Sequence, residues 1–149
     1  MNVFEQSLND LLTDVFNSIL QYEEKYLQNV SGTSISIGEI HMLEGIAKEN
    51  NKATVSQIAA FMNIAVPTAT VAIKKLESKG FVTKVPCKAD GRRTIIGLTE
   101  QGDKIYRSHR LFHRKMVRNI GKQFSDSQKE ILLEGVKALD EFFKEKLEG

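Results

Sequence analysis

A chain of 149 residues and 16.8 kDa fits one domain or one compact protomer, and it excludes a catalytic domain joined to a separate regulatory one. With 41% hydrophobic residues, 27% charged residues and two prolines, the composition supplies a core but too little turn chemistry for a many-stranded sandwich, so a mainly α fold is expected. The net charge of +2 hides a segregation: residues 1–50 hold two Lys against eight Asp and Glu, residues 51–93 hold eight Lys and Arg against Glu77 and Asp90, and residues 104–122 add seven bases and no acid. A basic middle between acidic ends is the footprint of a surface that meets phosphate or another acidic partner.

Leu8, Leu11, Leu12, Val15, Phe16, Ile19 and Leu20 recur at three- and four-residue steps, which predicts a first amphipathic helix of about six turns. Asn29 to Thr33 breaks it, and Ser36-Ile-Gly-Glu39 then opens a second helix as a capping box, with Ile40, Leu43 and Ile46 inward and an end near Asn50-Asn51. Thr54-Val-Ser-Gln57 caps a short third helix carrying Val55, Ile58, Ala59 and Met62, and Asn63-Ile64 suits a tight turn. A fourth helix runs from about Val66 to Gly80, with Pro67 where a missing N–H costs nothing and Val66, Ala69, Ile73 and Leu76 facing inward. Phe81 to Val85 and Thr94 to Leu98 are β-rich runs around a polar loop, Pro86 to Arg93, giving a hairpin with a basic tip. Thr99 can cap a long fifth helix with Ile105, Phe112, Met116 and Ile120, and Ser125-Asp-Ser-Gln128 caps a sixth with Leu132, Val136, Leu139 and Phe143.

Two helices joined by a tight turn and followed by a basic hairpin have the order of a winged helix-turn-helix. A helix fits the major groove, where each base pair shows its own donor and acceptor pattern, and the hairpin can reach the neighbouring minor groove, whose negative potential favours an inserted Arg. The candidate DNA contacts are Ser56 on the third helix, Pro67, Thr68, Thr70, Lys74 and Lys75 on the fourth, and Lys84, Lys88, Asp90, Arg92 and Arg93 on the hairpin. The bland alternative for the same residues is a solvated charged face.

The stretches Thr54 to Val85, from Thr-Val-Ser-Gln-Ile-Ala to Leu-Glu-Ser-Lys-Gly-Phe-Val, and Asp90-Gly-Arg-Arg-Thr-Ile-Ile-Gly-Leu-Thr-Glu-Gln-Gly102 resemble the MarR (multiple antibiotic resistance regulator) family. The resemblance covers nearly the whole chain and includes the family's Asp-x-Arg wing signature as Asp90 and Arg92. It implies a single protomer over 1–149: a winged helix-turn-helix at 36–98, with dimerisation helices at 1–35 and 99–149 from an obligate homodimer clasped by its first, fifth and sixth helices. By the same resemblance Arg92 enters the minor groove and Asp90 orients the wing. The expected partner is an imperfect DNA palindrome.

His109 and His113 are four residues apart and share a helical face. In the family fold His41 lies nearby, so with Glu23 or Glu24 the chain offers three imidazoles and a carboxylate, which resembles the zinc site of metal-sensing uptake repressors in the family. The block His109-Arg-Leu-Phe-His113-Arg-Lys-Met-Val and the stretch Glu39-Ile-His-Met-Leu also resemble the branch that represses fatty-acid biosynthesis genes, for which no cofactor is required. The competing expectation is that the histidines are structural. Arg107, Arg110, Arg114, Lys115 and Arg118 make a basic face on the fifth helix that admits three readings: a solvated face, phosphate contacts, or a seat for an acidic acyl carrier protein. An apolar pocket near Phe16, Phe112 and Met116 would suit an acyl-type ligand.

Catalysis is not expected. Arg110 stands where a zinc peptidase helix needs Glu beside its first His, and there is no phosphate-binding Gly loop or nucleophile elbow. Cys87 lies near Lys84 and Lys88 and is read as an incidental wing thiol, unable to form an internal disulfide. No run approaches the about 18 uninterrupted apolar residues of a membrane helix, and the N-terminus, with Glu5 and Asp10, lacks the order of a signal peptide, so a cytoplasmic protein with no membrane partner is expected. The function expected is a sequence-specific repressor, with fatty-acid biosynthesis genes as the regulon. The alternatives are a zinc-responsive repressor, an architectural DNA-binding protein without sequence preference, and, last, a metal-dependent hydrolase.

Overall fold

The computed structural model describes residues 1–32 and 34–149. The chain runs α1 (Val3–Ser31), α2 (Ile37–Lys48), α3 (Val55–Met62), α4 (Val66–Ser78), β1 (Val82–Pro86), β2 (Thr94–Leu98), α5 (Glu100–Gly121) and α6 (Asp126–Glu148). It divides into two compact units, Met1–Phe112 and His113–Gly149, with the boundary inside α5.

Local chemistry sets most of the helix ends. Ser36, Thr54 and Ser125 each accept from the backbone N–H three residues on, while the side chain of Glu39, Gln57 or Gln128 returns to the cap's own N–H. Asn2 and Glu5 make a fourth such box at the start of α1, upstream of the apolar run that marks this helix in the sequence. The end of α1 falls within the expected break from Asn29 to Thr33: the helix continues to Ser31 and stops at Gly32, whose φ of 64° is the left-handed conformation that glycine adopts without penalty. Thr33, the last residue of that expected break, lies outside the described residues. Nothing before Gly32 breaks the helical hydrogen bonding, and polar Asn29 is tolerated on an exposed turn.

In the first unit Ile40, Leu43 and Ile46 of α2, Ile58 of α3, Ile73 and Leu76 of α4, and Phe81, Val82 and Ile96 of the hairpin close one core, joined by Leu27 of α1 and Ile105 of α5. Helices α3 and α4 meet at 105°, within the helix-turn-helix range, and Asn63 between them is left-handed at φ 53°. The hairpin pairs antiparallel from Val82 opposite Leu98 to Pro86 opposite Thr94. Ala53, just before α3, donates to and accepts from Ile96 at 3.0 and 2.7 Å. That bridge ties the wing to the helix-turn-helix.

The polarity of α1 and α6 differs from that of an ordinary surface helix. Phe4, Leu11, Val15 and Phe16 of α1 are exposed, and in the second unit α6 buries no residue while exposing Ile131, Leu133, Val136, Phe142 and Phe143. Among the described residues no single helix is long and apolar enough to cross a membrane.

Candidate nucleic-acid interface

Helix α4 begins without a side-chain cap: Ala65 is the cap residue and Pro67 occupies the first turn, where its missing N–H leaves no bond unmade. Ala69, Ile73 and Leu76 anchor the helix to the core, and Pro67, Thr68, Lys74 and Lys75 are exposed. Val66, expected inward, is exposed instead, because the first turn of α4 projects beyond the core that Ala69 and Ile73 reach. Thr70 is half-buried, its hydroxyl donates to the Val66 carbonyl at 3.0 Å, and it lines a small hollow with Val55, Ile73, Lys84, Thr94 and Ile96. Its hydroxyl therefore serves the helix.

The wing tip is organised by Asp90. Its carboxylate accepts from the Arg92 backbone N–H at 3.0 Å, and its carbonyl accepts from the Arg93 N–H at 3.0 Å. An aspartate that folds the chain back on itself in this way fixes a tight turn. The Cys87 N–H donates to the Arg93 carbonyl at 2.8 Å and closes the loop. Arg93 lies 3.9 Å from the Asp90 carboxylate, Arg92 and Lys88 are exposed, and Lys84 approaches Glu77 at 3.6 Å. Arg92, Arg93 and Thr94 face Thr54, Val55 and exposed Ser56 across an open cleft at the start of α3. The cleft combines two guanidinium groups with the positive end of a helix dipole, which suits a backbone phosphate.

Lys79 is not part of this surface. It donates to both Glu39 carboxylate oxygens and to the Ser34 carbonyl, each at 2.9 Å. Burial pushes the Glu39 carboxyl up, but Lys79 and Ser36 more than reverse this and hold it below its ordinary value.

Behind the reading head, the candidate metal residues differ in burial. His109 and Glu23 are buried and bonded through His109 Nε2, and His109 Nδ1 lies 2.7 Å from Glu44 of α2. Burial alone would lower the imidazole's pKa, yet the hydrogen bonds and charges of Glu44 and then Glu23 raise it above the ordinary value. His41 and Glu24 are exposed, and His113 is half-buried in the second unit. The residue of α2 that reaches His109 is thus Glu44, while His41 of the same helix is exposed. Glu44 escaped the sequence reading because its partner is 65 positions away, although its place one turn after inward-facing Ile40 was a usable signal.

The candidate ligand residues also differ in burial. Phe112 is buried against Tyr22 and Tyr26, with ring centroids at 5.0 and 4.9 Å, while Phe16 is exposed. Met116 is half-buried in the second unit. On α5, Arg107 pairs with Asp103 at 2.8 Å, Arg110 lies over the Tyr106 ring, and Arg114 is exposed.

The sequence pattern of the MarR family matches residues 35–94, the span from α2 to the start of β2. FabT of Streptococcus pneumoniae, solved in complex with DNA, is 31% identical and superimposes with a TM-score of 0.83 over 95% of this chain and 98% of its own. The transcriptional repressor ScoC of Bacillus subtilis is 34% identical over 70% of this chain and 49% of its own, so the chain spans about half the length of that relative. MepR of Staphylococcus aureus shares the fold, with a TM-score of 0.71 at 20% identity over 89% of this chain and 96% of its own. The chain belongs to the MarR family, whose members are transcriptional regulators and not enzymes.

Proposed function

We propose that this protein is a homodimeric, sequence-specific DNA-binding repressor that places α4 in the major groove and the wing in the adjacent minor groove. The observation that carries the reading is that Lys74 and Lys75 of α4 and Arg92 and Arg93 of the tip that Asp90 folds are all exposed, on two elements built around one core. Arg92→Ala weakens operator binding by about 1 to 3 kcal/mol and relaxes preference at the A·T-rich flank, as loss of a minor-groove Arg does. Unchanged affinity of that variant, titrated by fluorescence anisotropy at physiological salt, refutes the wing assignment.

The apolar residues that α1 and α6 leave exposed support self-association, because a second copy is the usual cover for such faces. The protein sediments as a dimer at micromolar concentration, and selection from random DNA returns an imperfect palindrome with half-site centres about ten base pairs apart. Selection that enriches no sequence leaves only the architectural reading.

Fatty-acid biosynthesis genes are the proposed regulon. Support comes from the block from His109 to Val117, the stretch from Glu39 to Leu43, and the likeness to FabT along nearly the whole of both chains. The exposed cations Arg107 and Arg110 of α5 are the proposed seat of an acidic acyl carrier protein. The zinc-responsive reading has less support, since His41 and Glu24 of the candidate set are exposed.

A further inference from the structure

We propose that Val71 reads the 5-methyl group of a thymine in the major groove and so sets a preference for an A·T pair inside each half-site. The inference rests on the DNA-binding reading above and adds a base to it. At about 100° per residue, Val71 lies nearly opposite Ala69, Ile73 and Leu76, which are 0% exposed, and Val71 itself is 68% exposed. It stands at the crest of α4, with Pro67 one turn before it and Lys74, Lys75 and Ser78 one to two turns after.

A single exposed valine is commonplace on a protein surface. The chemistry of its neighbours distinguishes this one. Pro67 has no donor, the Thr70 hydroxyl is given to the Val66 carbonyl at 3.0 Å, and the Ser78 hydroxyl is given to the Lys75 carbonyl at 2.8 Å. Lys74 and Lys75 carry compact charges on flexible stems, suited to phosphates. The centre of the crest therefore presents the Val71 methyl groups, flanked by exposed Thr68 on one side and the two lysines on the other. Thymine is the one base that shows a methyl group in the major groove, and apolar side chains recognise it by contact. Valine is also a poorer helix former than alanine, so its two methyl groups at this exposed site have a use in contact and none in helix stability.

The test uses a duplex selected from random DNA by the intact protein, and a series of the same duplex in which each thymine in turn is replaced by deoxyuridine, which removes only the methyl group. Binding is measured by anisotropy for the wild type and for Val71→Ala, a variant that retains the fold because alanine favours an exposed helical site. At one thymine per half-site, uracil weakens wild-type binding about fourfold, the value of one buried methyl-sized group. Val71→Ala binds the parent duplex more weakly and is indifferent to uracil at that position. If uracil is tolerated at every position, or Val71→Ala keeps the wild-type sensitivity, the thymine assignment is overturned while tight selective binding leaves the repressor reading standing. A protein that binds no DNA removes both.

Discussion

His109→Leu lowers the stability of the protein by about 3 to 5 kcal/mol at neutral pH, because it removes the imidazole bonded to the buried Glu23 carboxylate and leaves that hydrogen bond unmade. Glu23 is 4% exposed and His109 2%, so water cannot take over the missing bond. The substitution retains apolar volume, and the loss is therefore electrostatic in origin. Glu23→Leu/His109→Leu recovers most of it, since replacing both partners of a buried ion pair by apolar side chains is close to neutral. Glu44, on the half-buried side of the imidazole, can hydrate in the double variant.

The sign of the pH dependence follows from the raised pKa of His109. A group that holds its proton more tightly when folded contributes fully below its unfolded value, about 6.5 for histidine, and loses that contribution as pH rises through the folded value. Wild-type stability accordingly declines on the alkaline side of pH 6.5 by a component that His109→Leu lacks. Urea denaturation of the three proteins across this range measures both effects. A His109→Leu variant as stable as wild type at pH 7 contradicts the ion-pair account.

Gly102→Ala is the second large effect, about 3 kcal/mol or more, and its cause is space. A Cβ built on Gly102 stands 2.0 Å from the Phe81 carbonyl oxygen and 3.0 Å from its carbon. The same oxygen accepts from the Thr99 N–H at 3.0 Å, while the Thr99 hydroxyl donates to the Gly80 carbonyl at 2.7 Å and accepts from the Gly102 N–H at 3.0 Å. The start of α5 is thus wrapped around the backbone that leads into the wing, and no side-chain rotation relieves the clash. Gly135 of α6, by contrast, has nothing within 4 Å of an added Cβ. Gly135→Ala raises stability by about 1 kcal/mol through helix propensity alone. Thermal melts of the two variants side by side check the contrast, and a Gly102→Ala protein that melts with the wild type overturns the packing account.

The elements legible in the sequence are those set by residues within one turn of each other. Three capping boxes fall at Ser36, Thr54 and Ser125 as expected, and the inward stripe of α4 holds at Ala69, Ile73 and Leu76. Val66 departs from that stripe because periodicity fixes an angle around the helix and not how far along the axis the core extends. Thr70 lies between the faces, and its hydroxyl bond to Val66 is a local alternative that small polar side chains have in any helix. The His109 site was half legible: the histidines stand out by type, but which acids reach the ring depends on how α1, α2 and α5 pack. The tight seat of Gly102 left no trace beyond the residue itself, since its neighbour Phe81 is 21 positions back in the chain.

The pair of backbone hydrogen bonds between Ala53 and Ile96 makes the wing a third edge of the same rigid piece that presents α4. With the ladder from Val82–Leu98 to Pro86–Thr94 fixed on one side and Ala53 on the other, the register of the strands is indifferent to what happens between Pro86 and Thr94. Residues gained or lost in that tip lengthen or shorten the arm without turning the recognition helix, because they lie beyond the last paired residues. The geometry of reach and the pose of the reading helix are therefore separable variables in this fold. Relatives or engineered variants with longer arms can span a different stretch of duplex flank while the same α4 surface faces the same bases.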